Sequence, residues 1–212
     1  PSNTKYMMPK VAIVILNWNG ISYLRGFLPS VIENSTGFEA QIWVVDNGSS
    51  DDSVSFLKEN HPSVNILCLD RNYGFTGGYN KGLTEIEAEY YVILNSDIEV
   101  TTNWLAPIIN ELDNNPNIAA AAPKLLSHQN RVMFEYAGAS GGFIDYLGYP
   151  FCRGRIISYT EEDKGQYDNP LPVFWATGAC MFVRSKVFHE LGGFDNNFFA
   201  HMEEIDLCWR IK

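Results

Sequence analysis

No two cysteines stand close enough to form a CxxC: Cys68, Cys152, Cys180 and Cys208 are scattered through a chain of 212 residues. Disulfide scaffolds and zinc ribbons both need tighter spacing, so free thiols in a reducing compartment are expected. Long apolar runs are missing as well. The longest aliphatic stretch, Val11 to Leu16, has six residues, whereas a membrane span needs about 20 and a secretory h-region about 7–15. Basic clusters are also absent. Fifteen Lys/Arg against twenty-five Asp/Glu leave a net charge of −10, which would repel a nucleic acid or anionic membrane relying on bulk electrostatics. A phosphorylated small molecule would then need a local source of positive charge. Neither GxGxxG nor GxxxxGK[ST] follows the first apolar run, so the usual backbone phosphate cradles are missing. With 46% hydrophobic and only 19% charged residues, a largely disordered chain is excluded.

What is present alternates regularly. Apolar, β-branched runs at Val11–Leu16, Gln41–Val45, Val64–Leu69 and Tyr90–Leu94 are separated by stretches of helical period at Ile21–Glu33, Asp52–Asn60 and Thr76–Ala88. Strands that are apolar throughout predict a parallel sheet covered on both faces. Repeated strand–helix–strand units predict right-handed crossovers, hence an α/β fold with a doubly wound, mostly parallel sheet flanked by helices. A helix at Thr102–Asn114 and a short strand at Ile118–Ala122 follow. The segment from about His128 to Pro172 is rich in Gly and aromatics without a clear period, and is expected to leave the sheet and carry binding loops. Strands at Val173–Thr177 and Ala179–Arg184, a helix from Ser185 to Gly192-Gly193, and a last helix at Glu203–Lys212 complete the pattern. With no repeat or linker, residues 1–212 read as a single domain behind a short leader, 1–9, and the last helix lacks a stop signal, as in a chain truncated at its C-terminus.

In a doubly wound sheet, ligands bind beyond the carboxyl ends of the strands, where strand order reverses. Those ends are Asn17-Trp18-Asn19-Gly20, Asp46-Asn47-Gly48, Asp70-Arg71-Asn72 and Asn95-Ser96-Asp97. Asn, Asp and Gly are common in turns, but four such ends on one rim point to a site. The glycines of Asn72-Tyr73-Gly74-Phe75-Thr76-Gly77-Gly78-Tyr79-Asn80 would let a loop approach a ligand closely. An acidic rim holding a phosphorylated ligand calls for a divalent cation bridging carboxylate and phosphate oxygens. Asp97 is the best-placed ligand; its bland alternative is a turn before the next helix.

On a helical wheel at about 100° per residue, Ile205, Leu207, Cys208, Trp209 and Ile211 share one broad face of the last helix. Glu204 falls in the middle of it, while Glu203, Asp206 and Arg210 fall on the other face. Asp206 and Arg210, four apart, suit a surface pair. Acidic residues in a first turn complement the helix dipole, which accounts for Glu203 and Asp206 but not for an inward Glu204. A partly desolvated carboxylate has a raised pKa and is suited to general-base work near neutral pH.

The ordered series Val14-Ile15-Leu16-Asn17-Trp18-Asn19-Gly20, Val44-Val45-Asp46-Asn47-Gly48-Ser49-Ser50-Asp51, Asn72-Tyr73-Gly74-Phe75 through Asn80-Lys81-Gly82, Leu94-Asn95-Ser96-Asp97, Ala176-Thr177-Gly178-Ala179, Gly192-Gly193-Phe194-Asp195 and the Glu203–Arg210 helix start resembles family-2 glycosyltransferases of the GT-A fold, in the rhamnosyltransferase-like branch. The resemblance implies inverting transfer of a sugar from a nucleotide-diphosphate sugar to a hydroxyl of a saccharide or lipid-linked acceptor, assisted by Mg²⁺ or Mn²⁺. It implies nucleotide contacts at Asn17, Asn19, Asp46, Asn72, Gly74, Asn80 and Asn95, with Asp46 reading the base. Asn95-Ser96-Asp97 stands where the family has its DxD motif; the first Asp is Asn here, leaving Asp97 as the metal ligand. Trp175, Thr177 and Gly178 would line the acceptor side. Glu204 matches the catalytic base, usually Asp, with Glu203 beside it as the alternative.

The resemblance also implies polysaccharide biosynthesis at the cell envelope, with a cytoplasmic location at the inner face of the membrane, peripheral membrane association of the full-length protein, and no nucleic-acid partner. Two other readings remain open at this point. One is a sugar-nucleotide pyrophosphorylase, which needs a Gly-rich basic signature after the first strand. The other is a non-catalytic saccharide- or nucleotide-binding remnant.

Overall fold

The computed structural model describes residues 8–212. In chain order the elements are β1 (Val11–Asn17), α1 (Ile21–Asn34), β2 (Gln41–Asp46), α2 (Ser53–Asn60), β3 (Asn65–Cys68), α3 (Gly74–Thr84), β4 (Tyr90–Leu94), α4 (Leu105–Asn114) and β5 (Ala120–Ala121). Then come the hairpins β6 (Gly142–Ile144)–β7 (Pro150–Cys152) and β8 (Arg155–Ile156)–β9 (Tyr159–Thr160), followed by β10 (Cys180–Arg184), α5 (Ser185–Glu190) and α6 (Glu203–Ile211). The central sheet has the order β3-β2-β1-β4-β10-β5. β3, β2, β1 and β4 are parallel, and β10 runs antiparallel to both β4 and β5.

The apolar character of the parallel strands has the expected cause. Along β1, Val11, Ile13 and Ile15 pack into one core layer with Leu24, Leu28, Leu57 and Ile109. Ala12 and Val14 face the other layer, with Tyr79, Leu83, Phe188 and Leu207. Both faces are covered, so neither can alternate with polar residues. Close approach of α3 requires glycine: a Cβ at Gly78 would lie 2.8 Å from Leu16 Cδ1, and one at Gly82 would lie 2.7 Å from Val45 Cγ2. These two glycines of the motif thus serve helix–sheet packing rather than a ligand.

Register sets the rim. Asn17, Asp46 and Cys68 end on one rung, while β4 stops at Leu94, paired with Ile15. β1 thus continues two residues past its last pair with β4, at the point where strand order passes from 3-2-1 to 4.

Several expected elements differ. The helix expected at Thr76–Ala88 occupies Gly74–Thr84; Tyr91 Oη donates to the carbonyls of Leu83 and Ile86, drawing the chain out of the helix toward β4. The helix expected from Thr102 begins at Leu105, after Asn103 at φ 61°. The expected strand Val173–Thr177 is instead an irregular segment behind Pro170 and Pro172; Trp175 makes one isolated bridge to Gly142. The His128–Pro172 excursion leaves the sheet as expected, but contains two hairpins. Of the expected leader, residues 1–7 lie outside the described residues, and the Pro9 carbonyl accepts from the Glu89 amide beside β4.

Candidate active site

The β1 and β2 ends are cross-linked by side chains. Asn17, fully buried, donates from Nδ2 to Asp46 Oδ1 at 3.0 Å and to Ser49 Oγ at 3.2 Å. Asp46 Oδ2 accepts the Ser49 amide at 3.0 Å. Both Asp46 oxygens are thus engaged in shaping the β2 turn, and Asn17 Oδ1 remains buried without a partner. Asn19, at φ 51°, accepts the Ser50 and Asp51 amides at 2.7 and 3.2 Å. Gly48 permits the next layer: a Cβ there would sit 2.6 Å from the Arg71 backbone.

The loop after β3 is tied to this turn. Asn47 Nδ2 donates to Asn72 Oδ1 and the Gly74 carbonyl, its Oδ1 accepts the Tyr73 amide, and Asn72 Oδ1 also accepts the Gly74 amide. Asn72 and Gly74 therefore lie beside the Asp46 turn. Asn80 does not: its amide brackets Phe194, donating to the Phe194 carbonyl at 2.7 Å and accepting the Phe194 amide at 2.9 Å. Its side chain is committed to holding the Gly193-Phe194 turn, a structural reason for an Asn in that motif.

Asn95, Ser96 and Asp97 follow β4. The Asn95 amide donates to the Ala179 carbonyl at 3.0 Å, which joins this loop to the Thr177-Gly178-Ala179 turn. Asp97 is exposed and makes no hydrogen bond or ion pair among the described residues. Thr177 is buried, donating from Oγ1 to the Ala137 carbonyl at 3.2 Å. Trp175 is buried too, its Nε1 donating to the Phe143 carbonyl at 3.0 Å and its ring filling the space a Gly142 side chain would need. Trp175 and Thr177 thus form the wall behind the turn, and Gly178, also buried, is the side that meets α6.

Against Gly178 lies the first turn of α6. Glu203 is 5% exposed and Glu204 is half-buried, and Oε2 of each is enclosed with no hydrogen-bond partner. The wheel set Glu203 on the outward face, and the structure corrects this. His201 and Met202, at φ 74° and 72°, lead the chain into α6, whose first turn lies against Gly178. Glu203 stands one turn before the buried Leu207, and Trp209, which the wheel counted into the apolar face, is 57% exposed, so the buried face takes in both carboxylates. Burial raises the pKa of Glu203, and burial followed by the Glu203 charge raises that of Glu204, with His201 acting against both. Asp206 and Arg210 do pair, and Arg210 also donates to the Leu191 and Gly193 carbonyls, locking α6 to the preceding turn.

Tyr79 shows that these groups converge. Its buried hydroxyl lies 3.1 Å from the Leu94 carbonyl and 3.4 Å from the Leu16 amide, at the ends of β4 and β1. Burial chiefly raises its pKa, and the charges of Asp97 and Glu203 add to the effect. The Asn95–Ala179 hydrogen bond and the contact of Gly178 with both glutamates bring the Asp97 loop and the first turn of α6 to the same turn. For a divalent cation, the donor set is the free carboxylate of Asp97 beside Asn95 and Ser96; no cluster of three or more His, Cys, Asp or Glu exists among the described residues. That set fits an ion shared with substrate phosphates and water, which needs only one or two carboxylates.

Two cations escaped the sequence reading. The Arg71 guanidinium and Lys81 Nζ stand 4.8 and 4.4 Å from the centre of the Tyr73 ring, whose hydroxyl donates to Asp70 at 2.7 Å. They supply local positive charge beside the Asp46 turn. The signal was a demand for cations in a chain of net charge −10. Trp18 stands 57% exposed at the tip of the β1 loop.

The family model described as Glycosyl transferase family 2 matches residues 12–192. The low-salt glycan biosynthesis hexosyltransferase Agl10 of Haloferax volcanii is 24% identical over 210 residues, covering 97% of this chain and 62% of that protein. The N-acetylglucosaminyl-diphospho-decaprenol L-rhamnosyltransferase of Mycobacterium tuberculosis is 22% identical over 223 residues, covering 97% of this chain and 71% of that protein. Among solved structures, GalNAc-T7 with UDP, GalNAc and Mn²⁺ superposes with a TM-score of 0.72 at 18% identity, over 96% of this chain and 40% of that one. The chain thus spans well under the full length of the first relative and of this neighbour. The likeness establishes the GT-A fold.

Proposed function

The chain belongs to glycosyl transferase family 2, and we propose that it transfers a sugar, with inversion, from a nucleotide-diphosphate sugar to a hydroxyl of a saccharide or lipid-linked acceptor. Family membership sets aside the pyrophosphorylase reading. The observation that carries the proposal is the pair of inward carboxylates, Glu203 and Glu204, whose buried oxygens lack partners and which lie against the Gly178 turn that is hydrogen-bonded to the Asn95-Ser96-Asp97 loop. Buried acceptors without donors are costly to keep, and a hydroxyl of the acceptor would satisfy one of them.

In this reading the Asn17–Asp46 turn, Asn19, Asn72, Gly74 and Asn95 form the nucleotide side, with Arg71 and Lys81 offsetting diphosphate charge. Glu204 takes the proton of the acceptor hydroxyl as its oxygen attacks the anomeric carbon; the C–O bond to the diphosphate breaks and the nucleoside diphosphate leaves. Glu203, beside it, holds up the Glu204 pKa through its charge. Asp97, with Asn95 and Ser96, would hold Mg²⁺ or Mn²⁺, which when bound offsets charge on the diphosphate. Trp175, Thr177 and Gly178 shape the acceptor side.

We place the activity in a reducing, cytoplasmic setting next to the membrane. All four cysteines are free, and no helix among the described residues is long and apolar enough to cross a membrane. The hairpins beyond the Trp175 wall expose Tyr146 (94%), Leu147, Tyr149, Ile157 (84%) and Tyr159. Tyrosines and aliphatic side chains of this kind suit a bilayer interface. The excursion of residues 128–172 carries four Lys/Arg against six Asp/Glu, so such a contact rests on these aromatic and aliphatic side chains rather than on charge. Sedimentation with vesicles containing anionic lipid tests this contact: binding lost on Leu147→Ser with Ile157→Ser supports it, and no binding by the wild type removes it.

The transferase reading is tested by incubating the protein with UDP-, dTDP- and GDP-sugars, Mn²⁺ and a saccharide or polyprenyl-diphosphate saccharide acceptor. Glycosylated product from the wild type and none from Glu204→Gln is the expected result. Nucleotide binding without turnover under every combination would favour the non-catalytic remnant.

A further inference from the structure

The segment between α5 and α6, residues 195–202, crosses the N-terminal half of α3 before it delivers the glutamates. It is fastened at successive points. Asn80 brackets Phe194 and donates to Asn196 Oδ1 at 3.0 Å. The buried Thr76 donates from Oγ1 to the Phe198 carbonyl at 2.7 Å, between residues 122 apart in sequence. The Phe199 ring lies over Gly74, where a Cβ would come within 2.9 Å of ring atom Cε2. Gly74 is at φ 72° and its carbonyl accepts from Asn47, next to Asp46. Within four residues of Phe199 the chain passes through the two left-handed residues and enters Glu203.

From Asp46 to Glu203 there is therefore one continuous line of contact: the β2 turn, the Asn72–Gly74 loop, the Phe198–Phe199 segment, and the first turn of α6. Most of these joints serve packing. Phe199 is the exception, because it is 75% exposed yet lies on the one residue of the loop whose backbone leaves it no side chain. An exposed phenyl ring gains little from burial there. Its position has a different consequence: the ring joins the Gly74 loop to the backbone that enters α6.

We propose that Thr76 and Phe199 are positioning residues that couple occupancy of the nucleotide side to the placement of the Glu203–Glu204 carboxylates. The inference rests on the transferase reading given above. A nucleoside diphosphate bound against the Asn72–Gly74 loop steadies the surface on which the Phe199 ring rests, the Thr76–Phe198 hydrogen bond fixes the far end of the strap, and the left-handed pair at His201 and Met202 fixes the direction in which Glu204 enters the site. The Phe199–Gly74 contact is the joint of the strap nearest the nucleotide side, so it carries the coupling to the base.

Hydrogen exchange measured by mass spectrometry, with UDP, dTDP or GDP plus Mn²⁺ as probe, tests the coupling directly. The wild type should show slowed exchange both in residues 70–76 and in residues 196–206 on binding. Thr76→Val keeps the shape of a buried side chain and removes its hydroxyl; Phe199→Ala alters an exposed one, so both variants should fold. Each should bind the nucleotide within about threefold of the wild type, yet lose the protection at 196–206. Turnover should show the same split, with kcat down about tenfold and donor KM nearly unchanged, as expected when an interaction that matters in the transition state is lost. Thr76→Ser, which restores the hydroxyl, should recover both readouts. Protection of 196–206 that persists in Thr76→Val and Phe199→Ala overturns the coupling and leaves the transferase reading standing. A wild type that binds none of the three diphosphates overturns both.

Discussion

Gly178 faces Glu204 across a gap of one methyl group: a Cβ at Gly178 would lie 3.6 Å from Glu204 Cβ and 3.7 Å from Glu203 Oε1. Those are ordinary contact distances, and Gly178 has no left-handed backbone that demands glycine. Gly178→Ala should therefore fold with a melting temperature near that of the wild type. The added methyl takes up space beside the two carboxylates where an acceptor hydroxyl would approach. Misplacing reacting groups by about 1 Å can cost about 100-fold in rate, so kcat/KM for the acceptor should fall by roughly 10- to 100-fold. Steady-state kinetics with thermal unfolding checks this; unchanged acceptor kinetics would place the acceptor elsewhere.

The glutamates give a prediction with two signs. A base must be ionised to act, and both pKa values are raised above the ordinary 4.5. The rate should therefore rise with pH through an inflection above that value, and Glu204→Gln should lower kcat by about 100- to 10,000-fold. Stability runs the other way. Folding favours the protonated form, so the contribution of each group is fully present below its unfolded value and is lost as pH rises through its raised folded value. Glu203→Gln and Glu204→Gln should then be more stable than the wild type at neutral pH, by about 0.5–2 kcal/mol as is usual on relieving a functional site. The gap should close as the pH falls below 4.5. Chemical unfolding across this pH range decides it, and a gap that widens in acid would mean the carboxylates are stabilised as anions.

The contrast between Glu204 and Glu203 marks what could be read from the sequence and what could not. The parallel strands were legible because burial on both faces leaves an unbroken apolar run, and β4 begins and ends where its run does. Periodicity set Glu204 inward for the same reason. Glu203 lies one turn before the buried Leu207, and the wheel sets it outward only by counting Trp209, 57% exposed in the structure, into the apolar face. Asn80 was assigned to a ligand because the family pattern contains it, but its partner Phe194 lies 114 residues away and only the tertiary fold shows the bond. The hairpins of residues 142–160 were hidden because strands of two or three residues are too short for a period to appear.

Asp46 should carry stability as well as recognition. It is buried, and each of its oxygens accepts one hydrogen bond, from Asn17 and from the Ser49 amide. In Asp46→Asn one of these donors would face an amide NH₂. Leaving a buried donor unmatched costs about 1–3 kcal/mol, so the urea midpoint should fall accordingly and nucleotide affinity should drop at least about tenfold as the turn loosens. A variant as stable as the wild type would mean that the turn is held by Asn19 and its two amide bonds alone.

Asp97 predicts the opposite combination. Its carboxylate is exposed and has no partner among the described residues, and substitutions at such positions usually stay within about 0.5 kcal/mol. Asp97→Ala should therefore unfold like the wild type. Its loss should appear only when nucleotide and metal are both present. Ligand at about 100 times its dissociation constant stabilises a fold by about 2.7 kcal/mol, and in the wild type the part of that gain that depends on Mn²⁺ should be plain in a thermal shift with UDP, dTDP or GDP. In Asp97→Ala the shift should be the same with and without Mn²⁺, because the remaining donors, Asn95 and Ser96, are neutral oxygens that hold a hard cation poorly without a carboxylate. If the metal-dependent part survives the substitution, the cation is bound elsewhere on the rim, and the one unengaged carboxylate beside β4 is a turn residue after all.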